Sequence, residues 1–267
     1  MAEFNSDDGP ASGNAAVTLD LWLTLIAEHD GSNRSLKRYK VRGDYTDKVL
    51  AKHGFFVDRT KLLEASRTIS ELVTADHDLG IDLEFNHRIR QLLALVDPDL
   101  PEHLSDAAIS EIADAVDQAF LDTPPTFLPG AHEVLAQLGS MDIRVALISN
   151  TGLTSAPAYR EWFEREGVLG YFDHLTFSNE VACAKPSPDI FHPTLSLLSV
   201  RPEDGLHIGD NLLTDISGAA GVGMKTGWIS GHDDREPMVR PDYTLSGVTD
   251  IPAIVEKWLA GRAVANN

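Results

Sequence analysis

The sequence has a single cysteine, Cys183, among its 267 residues. One thiol excludes an internal disulfide and a metal site built from several cysteines. No apolar run approaches the roughly 18 residues that a membrane-spanning helix needs. Residues 1–14 are polar and acidic, and they lack the basic start and apolar core of a secretory signal. We therefore expect a cytoplasmic protein without a membrane partner, whose residues 1–14 form a disordered leader.

Positive charge is also scarce, because 22 Lys and Arg stand against 41 Asp and Glu, for a formal net charge of −19. Nucleic-acid-binding proteins need a basic surface, so this balance excludes a nucleic-acid partner. The one dense basic segment, residues 34–42, holds five cations. It predicts a helix with a charged, solvent-facing side. The alternative is a segment that attracts an anionic substrate through Arg34, Lys37 and Arg38.

Two patterns of apolar residues divide the rest of the chain. Between about residues 35 and 122 they recur at helical spacing, which predicts a small helical bundle with Ser105 as a helix N-cap. From Phe127 onward, strand-like segments alternate with amphipathic helices. This alternation is typical of an α/β fold with a doubly wound parallel sheet.

Residues 15–26 form an apolar, β-branched run that contains one carboxylate, Asp20. The run predicts a central parallel strand, with Asp20 at the edge of the sheet where ligands of α/β proteins bind. A carboxylate there can be a nucleophile, a metal ligand or both. Taken alone, the same residue can equally cap a helix or a turn.

Other predicted strands or their following loops deliver Ser149, Lys185 and the pair Asp210 and Asp215 to the same edge. Each of them alone is an ordinary turn, cap or surface residue. Together with Asp20 they suit a phosphoryl group. Asp20 can attack phosphorus, and Asp20 and Asp210 can share a Mg²⁺ ion. The Ser149 hydroxyl and the Lys185 ammonium can bind and neutralise phosphate oxygens.

Four segments resemble the motifs of the haloacid dehalogenase superfamily of phosphohydrolases and dehalogenases: residues 19–25, 147–150, 185–191 and 207–215. The resemblance spans about residues 15–260. It implies a Rossmann-like catalytic core of residues 15–30 and 125–262 and an inserted helical cap of residues 31–124. It also implies a Mg²⁺-dependent hydrolase of a small phosphorylated metabolite, with an aspartyl-phosphate intermediate on Asp20.

The same resemblance assigns roles to individual residues. The implied catalytic residues are Asp20, Thr24, Ser149, Asn150 and Lys185. The implied metal ligands are Asp20, the backbone carbonyl of Trp22, Asp210 and Asp215. The implied substrate contacts are Ser149, Asn150, Lys185 and Asn211, besides the basic side chains named above.

One position departs from the family phosphatases. They carry a second Asp two residues after the nucleophile, which protonates the leaving group and then activates water, and here that position is Trp22. A general acid/base typically contributes about 10²–10⁴-fold, so the sequence predicts a preference for good leaving groups. Two alternatives remain open: a metal-free 2-haloacid dehalogenase-like hydrolase, whose branch also lacks the second Asp, and a catalytically weak phosphate-binding or interaction protein. Monomer and homodimer also remain open.

Overall fold

The computed structural model describes residues 15–29, 31 and 35–265. Its strands are β1 (Ala16–Leu19), β2 (Ile26–Ala27), β3 (Thr126–Phe127), β4 (Arg144–Ser149), β5 (His174–Phe177), β6 (Gly205–Gly209), β7 (Lys225–Ile229) and β8 (Tyr243–Leu245). Six of them form a parallel sheet in the order β5-β4-β1-β6-β7-β8. The fold is therefore the α/β, Rossmann-like type that strand–helix alternation predicts.

Strand β1 lies inside the sheet between β4 and β6, and all four of its residues are buried. Val17 and Leu19 belong to the hydrophobic cluster on one face of the sheet, while Ala16 belongs to the cluster on the other face. A strand buried on both faces has no polar side, which explains the uninterrupted apolar run. The strand is shorter than the predicted segment, because the chain turns after Leu21 and continues into β2, which pairs antiparallel with β3.

A helical bundle connects β2 to β3. Its helices are α1 (Leu36–Lys52), α2 (Arg59–Asp78), α3 (Phe85–Val96), α4 (Leu100–His103) and α5 (Asp106–Asp122). They enclose a hydrophobic cluster of their own, which includes Leu50, Ile69 and Ile112. Ser105 caps α5 as predicted, since its hydroxyl accepts the Ala108 N–H at 3.2 Å. The helical periodicity is thus confirmed, whereas the division into a core and a cap domain stays a prediction.

The remaining helices flank the sheet: α6 (Ala131–Gly139), α7 (Ala156–Arg165), α8 (Ser178–Val181), α9 (Pro188–Leu197), α10 (Gly218–Gly221) and α11 (Ile251–Ala265). A π-helix (Leu212–Ser217) precedes α10, and short 3₁₀ turns cover Leu169–Tyr171, Pro202–Asp204 and Val248–Asp250. None of the described helices has both the length and the apolar character needed to cross a bilayer.

The basic segment forms the predicted helix, α1, but its charged side does not simply face solvent. Lys37 and Lys40 are exposed. Arg38 and Arg42 are only 6% and 5% exposed, because residues four apart share the inner face of the helix. The expectation of a solvated charged face is therefore wrong for these two arginines. Arg34 lies outside the described residues.

Candidate active site

Three carboxylates meet at the carboxyl edge of the sheet. Asp20 follows β1 and Asp210 follows β6, and these two strands end side by side, with Leu19 paired to Ile208. Asp215 lies in the π-helix that begins just after Asp210. One oxygen of each of the three carboxylates lies within 4.8 Å of the others. The structure thus brings together residues that are up to 195 positions apart in the chain.

The ammonium of Lys185 is buried among these carboxylates, with 1% of the residue exposed. Its Nζ donates to Asp20 Oδ1 at 2.6 Å, to Asp215 Oδ1 at 2.8 Å and to the carbonyl of Ile148 at 2.6 Å. An ammonium has three hydrogens, so all of its donors are engaged by the protein. Lys185 therefore orients Asp20 and Asp215, and its charge lies directly beside the candidate nucleophile.

Asp215 is fixed more firmly than the other two carboxylates. Its Oδ2 accepts the Asn211 N–H at 2.9 Å, and its Oδ1 lies 3.3 Å from His207 Nε2. Gly209 makes this packing possible, because a Cβ at that position would lie 2.2 Å from Asp215 Oδ2. Glycine is therefore required at position 209, because the Asp215 side chain lies so close to the backbone there.

The site carries more negative than positive charge, since three carboxylates converge and the Lys185 ammonium contacts only Asp20 and Asp215. Burial and then the like charges of Asp20 and Asp215 raise the pKa of Asp210 to about 9. Burial, opposed by Lys185, raises the pKa of Asp20 to about 6. Burial acts on Asp215 too, but Lys185 and His207 outweigh it and hold the Asp215 pKa well below its usual range. The unbalanced charge therefore lies on Asp20 and Asp210.

These donors suit a hard divalent cation. Mg²⁺ is typically held by one or two carboxylates, and waters and phosphate oxygens complete its shell. In the described part of the chain, no cationic side chain lies within 4 Å of the Asp210 carboxylate. Among the same residues, no donor reaches the carbonyl oxygen of Trp22. Asp20, Asp210 and the Trp22 carbonyl thus offer oxygens that the protein leaves uncompensated.

The carboxylates line a cleft of about 260 Å³ between the sheet edge and the bundle. Neighbouring residues from the sheet-forming part are Trp22, Asn150, Leu153, Tyr159, Asn211 and Thr214. The bundle contributes Arg38, Tyr39, Arg42, Ser70, Thr74, His77 and Asp78. A ligand bound at the carboxylates is therefore also within the cleft formed by bundle side chains.

The residues after β4 occupy different places. The Asn150 amide clamps the backbone of Lys185, because its Nδ2 donates to the Lys185 carbonyl at 2.9 Å and its Oδ1 accepts the Lys185 N–H at 2.8 Å. Ser149 is fully buried, lies outside the cleft lining, and its hydroxyl donates to the Asn150 carbonyl at 3.4 Å. Their roles toward substrate stay predictions.

Asn211 and Thr24 are also positioned by local structure. The Asn211 Oδ1 caps the π-helix by accepting the N–H groups of Leu213 and Thr214, and Asn211 lines the cleft. Thr24 is fully buried behind the cleft, and its hydroxyl has no partner among the described residues. Both assignments to the site stay predictions.

Of the basic side chains predicted to contact substrate, Arg38 lines the cleft. Its guanidinium is engaged by the protein, with Nη1 donating to Glu28 Oε1 at 2.5 Å and Nε and Nη2 donating to the Thr123 carbonyl at 2.8 and 2.7 Å. Lys37 lies at a neighbouring hollow with Glu28 and His29, outside this cleft. The structure therefore brings only one of the two described cations to the cleft.

Among the cleft residues that sequence reasoning did not single out are Arg42, Tyr159 and His77. The sequence could have indicated Arg42, because it lies four residues after Arg38 and therefore on the same helix face. No such pattern indicated Tyr159, and its hydroxyl accepts the Trp22 Nε1–H at 3.0 Å. No pattern indicated His77 either, and its Nε2 lies 3.1 Å from the Asp82 carboxylate, which also accepts from Ser178 of the sheet-forming part at 2.6 Å.

The profile of the haloacid dehalogenase-like hydrolases matches residues 52–223. The chain belongs to the haloacid dehalogenase-like hydrolase family. This segment includes Lys185, Asp210 and Asp215 of the site described above. The protein is accordingly a hydrolase, as the resemblance implied.

Individual family members show similarity over different lengths. A glyceraldehyde 3-phosphate phosphatase of Pyrococcus abyssi is 30% identical over 195 residues, which cover 65% of this chain and 76% of that protein. An N-acylneuraminate-9-phosphatase of Mus musculus is 34% identical over 132 residues, 47% of this chain, and the match spans about half (52%) of that relative. The crystal structure of a 2-haloacid dehalogenase from Pseudomonas syringae pv. Tomato DC3000 superposes with a TM-score of 0.61 at 21% identity, covering 91% of this chain and 99% of that one. That likeness shows a shared fold.

Proposed function

We propose that this hydrolase is a Mg²⁺-dependent phosphohydrolase of a small phosphorylated metabolite. One observation supports it above the others: the carboxylates of Asp20, Asp210 and Asp215 converge, and the Lys185 ammonium contacts only two of them. A phosphate dianion cannot approach such a surplus of negative charge unless a cation compensates it. The similarity to a phosphatase of Pyrococcus abyssi agrees with this substrate class.

Asp20 is the nucleophile in this proposal. Lys185 holds Asp20 Oδ1 at 2.6 Å and so fixes the carboxylate in one orientation. Attack of an Asp20 oxygen on phosphorus forms the aspartyl-phosphate and breaks the bond to the ester oxygen, which leaves with its electron pair and takes a proton from water. Water then cleaves the acyl phosphate, which releases inorganic phosphate and restores the carboxylate. Asp20, Asp210 and the Trp22 carbonyl, together with Asp215 as the third carboxylate of the cluster, would hold Mg²⁺, which supplies the positive charge that phosphoryl transfer requires.

Trp22 restricts the leaving group. It occupies the position of the usual acid, and its indole is directed to Tyr159 through a 3.0 Å hydrogen bond. Burial raises the pKa of Tyr159 to about 12, so this hydroxyl is a poor proton donor near neutral pH. Esters whose alcohol has a low pKa, such as aryl and acyl phosphates, depend least on an acid and should react fastest.

Trp22 also favours a second candidate, a 2-haloacid dehalogenase-like activity in which Asp20 displaces halide from carbon. That reaction requires neither a second Asp nor a cation. Retention of Asp210 beside Asp20 argues against it, because a carboxylate buried without a cationic partner is costly unless it serves a metal. The phosphohydrolase is therefore the better supported function.

The deciding experiment compares 4-nitrophenyl phosphate, an alkyl phosphate and 2-chloropropionate, each with Mg²⁺ and with EDTA. We expect turnover of the aryl phosphate with Mg²⁺, little with EDTA, and no turnover after Asp20→Asn. Asp189→Asn, a change of an exposed carboxylate near Lys185, is the matched control. Release of chloride in EDTA, without hydrolysis of either phosphate, would instead establish the dehalogenase.

A further inference from the structure

Arg38 and Arg42 lie one turn apart on the inner face of α1, and both line the cleft. Arg38 is neutralised by Glu28 at 2.5 Å and also donates to the Thr123 carbonyl. A buried arginine with a carboxylate and a carbonyl partner is an ordinary structural element. Arg38 therefore requires no ligand.

Arg42 has a carbonyl partner but no carboxylate partner within the described residues. Its only hydrogen-bond acceptor within the described residues is the Leu153 carbonyl, 2.7 Å from Nη2. Its Nε is buried without a partner, although the residue is only 5% exposed. No described carboxylate lies within 4 Å of its guanidinium. A buried charge left unpaired in this way is strongly unfavourable unless something else compensates it.

Asp117 offsets the charge of Arg42 only in part. Asp117 interacts with Arg42 electrostatically, but its two oxygens accept the Ser155 N–H at 2.8 Å and the Ser155 hydroxyl at 2.5 Å. Burial and the neighbouring Arg38 lower the pKa of Arg42 to about 10, so the guanidinium remains charged near neutral pH. On the bundle side of the cleft, Arg42 thus presents a positive charge that has no ion-pair partner among the described residues.

We propose that Arg42 binds a carboxylate of the substrate, so that the cleft selects phosphorylated acids over neutral phosphate esters of the same skeleton. This inference rests on the proposed function, which places the phosphoryl group at Asp20. Arg42 extends from the bundle to the Leu153 carbonyl and does not contact Asp20 or Lys185. Its charge therefore serves the part of the substrate that lies away from the reacting phosphorus.

Charge and size both favour a small acid. A single guanidinium matches the single negative charge of a carboxylate, whereas a second phosphate dianion would leave a surplus in a largely buried place. The cleft of about 260 Å³ is near the lower end of small-molecule sites, so the phosphate and the carboxylate belong to one small metabolite.

The test uses two pairs of probes that differ in a carboxylate: 3-phosphoglycerate with glycerol 3-phosphate, and 6-phosphogluconate with sorbitol 6-phosphate. Binding is measured by calorimetry with Mg²⁺ on full-length Asp20→Asn protein, and inhibition of 4-nitrophenyl phosphate turnover is measured on the active enzyme. In at least one pair we expect the acid to bind more tightly by about 10-fold or more, the range for a hydrogen bond to a charged group. Arg42→Gln should abolish this preference, and Arg42→Lys should restore part of it.

The matched control is Arg67→Gln, an exposed arginine on α2 outside the cleft, which should keep the preference. Thermal unfolding of each variant separates a lost contact from a lost fold. Equal binding of acid and neutral ester by the unmodified cleft, or a preference that survives Arg42→Gln, overturns the inference and leaves the proposed function intact. A protein that neither hydrolyses 4-nitrophenyl phosphate nor binds inorganic phosphate with Mg²⁺ overturns the proposed function, and the inference falls with it.

Discussion

Replacing Asp210 with Asn should make the metal-free protein more stable and at the same time abolish its response to Mg²⁺. Asn keeps the shape of the side chain and removes one of the three clustered charges. In the absence of a cation, burial and repulsion by Asp20 and Asp215 disfavour the ionised form of Asp210. Its pKa of about 9 means that the folded protein takes up a proton near neutral pH that the unfolded chain does not bind, and this uptake lowers stability. A residue retained at a cost to stability is typical of a binding site.

The size of the effect follows from the spacing of the carboxylates. Two like charges 4.8 Å apart repel by about 3 kcal/mol at an effective dielectric constant of about 20. The ionised form of Asp210 has two such neighbours, and attraction to Lys185 offsets about one of the two repulsions. Keeping the charge, or taking up a proton to avoid it, therefore costs the folded protein about 3 kcal/mol near neutral pH, and Asp210→Asn should recover this amount. In a protein of this size, that gain corresponds to a rise in Tm of about 6–12 °C.

Thermal and urea unfolding in EDTA and in excess Mg²⁺ provide the measurement. Wild-type protein should gain about 2.7 kcal/mol when Mg²⁺ is at 100 times its Kd, while Asp210→Asn should gain far less. Asp78→Asn is the control, because this carboxylate lines the same cleft but interacts with Arg235 at 3.7 Å instead of joining the cluster. No gain in EDTA, or an equal Mg²⁺ shift in both proteins, would refute the electrostatic reasoning.

Three further changes have defined outcomes. Gly209→Ala places a Cβ 2.2 Å from the Asp215 carboxylate, so it should reduce the Mg²⁺-induced rise in Tm. The control is Gly221→Ala, whose Cβ meets nothing within 4 Å and which should keep that rise. Equal Tm shifts in the two variants would contradict the role of Gly209. Trp22→Asp should raise kcat for alkyl phosphates by up to about 10²-fold and for aryl phosphates much less. Trp22→Phe, which adds no acid, is the control and should not produce this difference. An equal effect of Trp22→Asp on both esters would show that Trp22 does not mark a missing acid. Burial raises the pKa of Asp117 to about 6. As the pH rises, the Asp117 carboxyl therefore loses its proton in the unfolded chain before it does so in the folded protein. The folded protein thus loses stability between about pH 4 and pH 6. In urea titrations, the free energy of unfolding of Asp117→Asn, relative to wild type, should therefore rise by up to about 3 kcal/mol between about pH 4 and pH 7. A difference that does not change with pH would contradict the raised pKa of Asp117.

Local pattern was enough to predict the sheet. The strands after Phe127 form the parallel sheet that their alternation with helices predicts, and Ser105 caps its helix as expected. These features depend on neighbours in the chain, such as turn residues, side-chain period and capping hydroxyls. Asp20, Asp210 and Asp215 were also predictable, because parallel strands bring the residues after their carboxyl ends to one edge of the sheet.

Partner choice over long distances was not predictable. Nothing local shows that Arg38 pairs with Glu28 while Arg42, one turn later, is left without a carboxylate. The same holds for Lys185, whose three donors are satisfied by groups that come from three separate segments. Such contacts depend on the packing of the bundle against the sheet. The spacing of apolar residues in a helix predicts which face points inward, but it does not predict which residues of other segments that face contacts.

A chain with net charge −19 can still bind a substrate that carries both a phosphate and a carboxylate, because surface repulsion and attraction within the site act over different ranges. Repulsion by the distributed surface carboxylates is screened over about 8 Å at physiological ionic strength. In the proposed complex, Arg42 and a cation at Asp20 and Asp210 would act at contact distance from buried side chains, where attraction is stronger. Added salt should therefore speed substrate capture by weakening the outer repulsion before it weakens the inner contacts. The acidic surface then limits the association rate, while a few buried charges determine which anion stays bound.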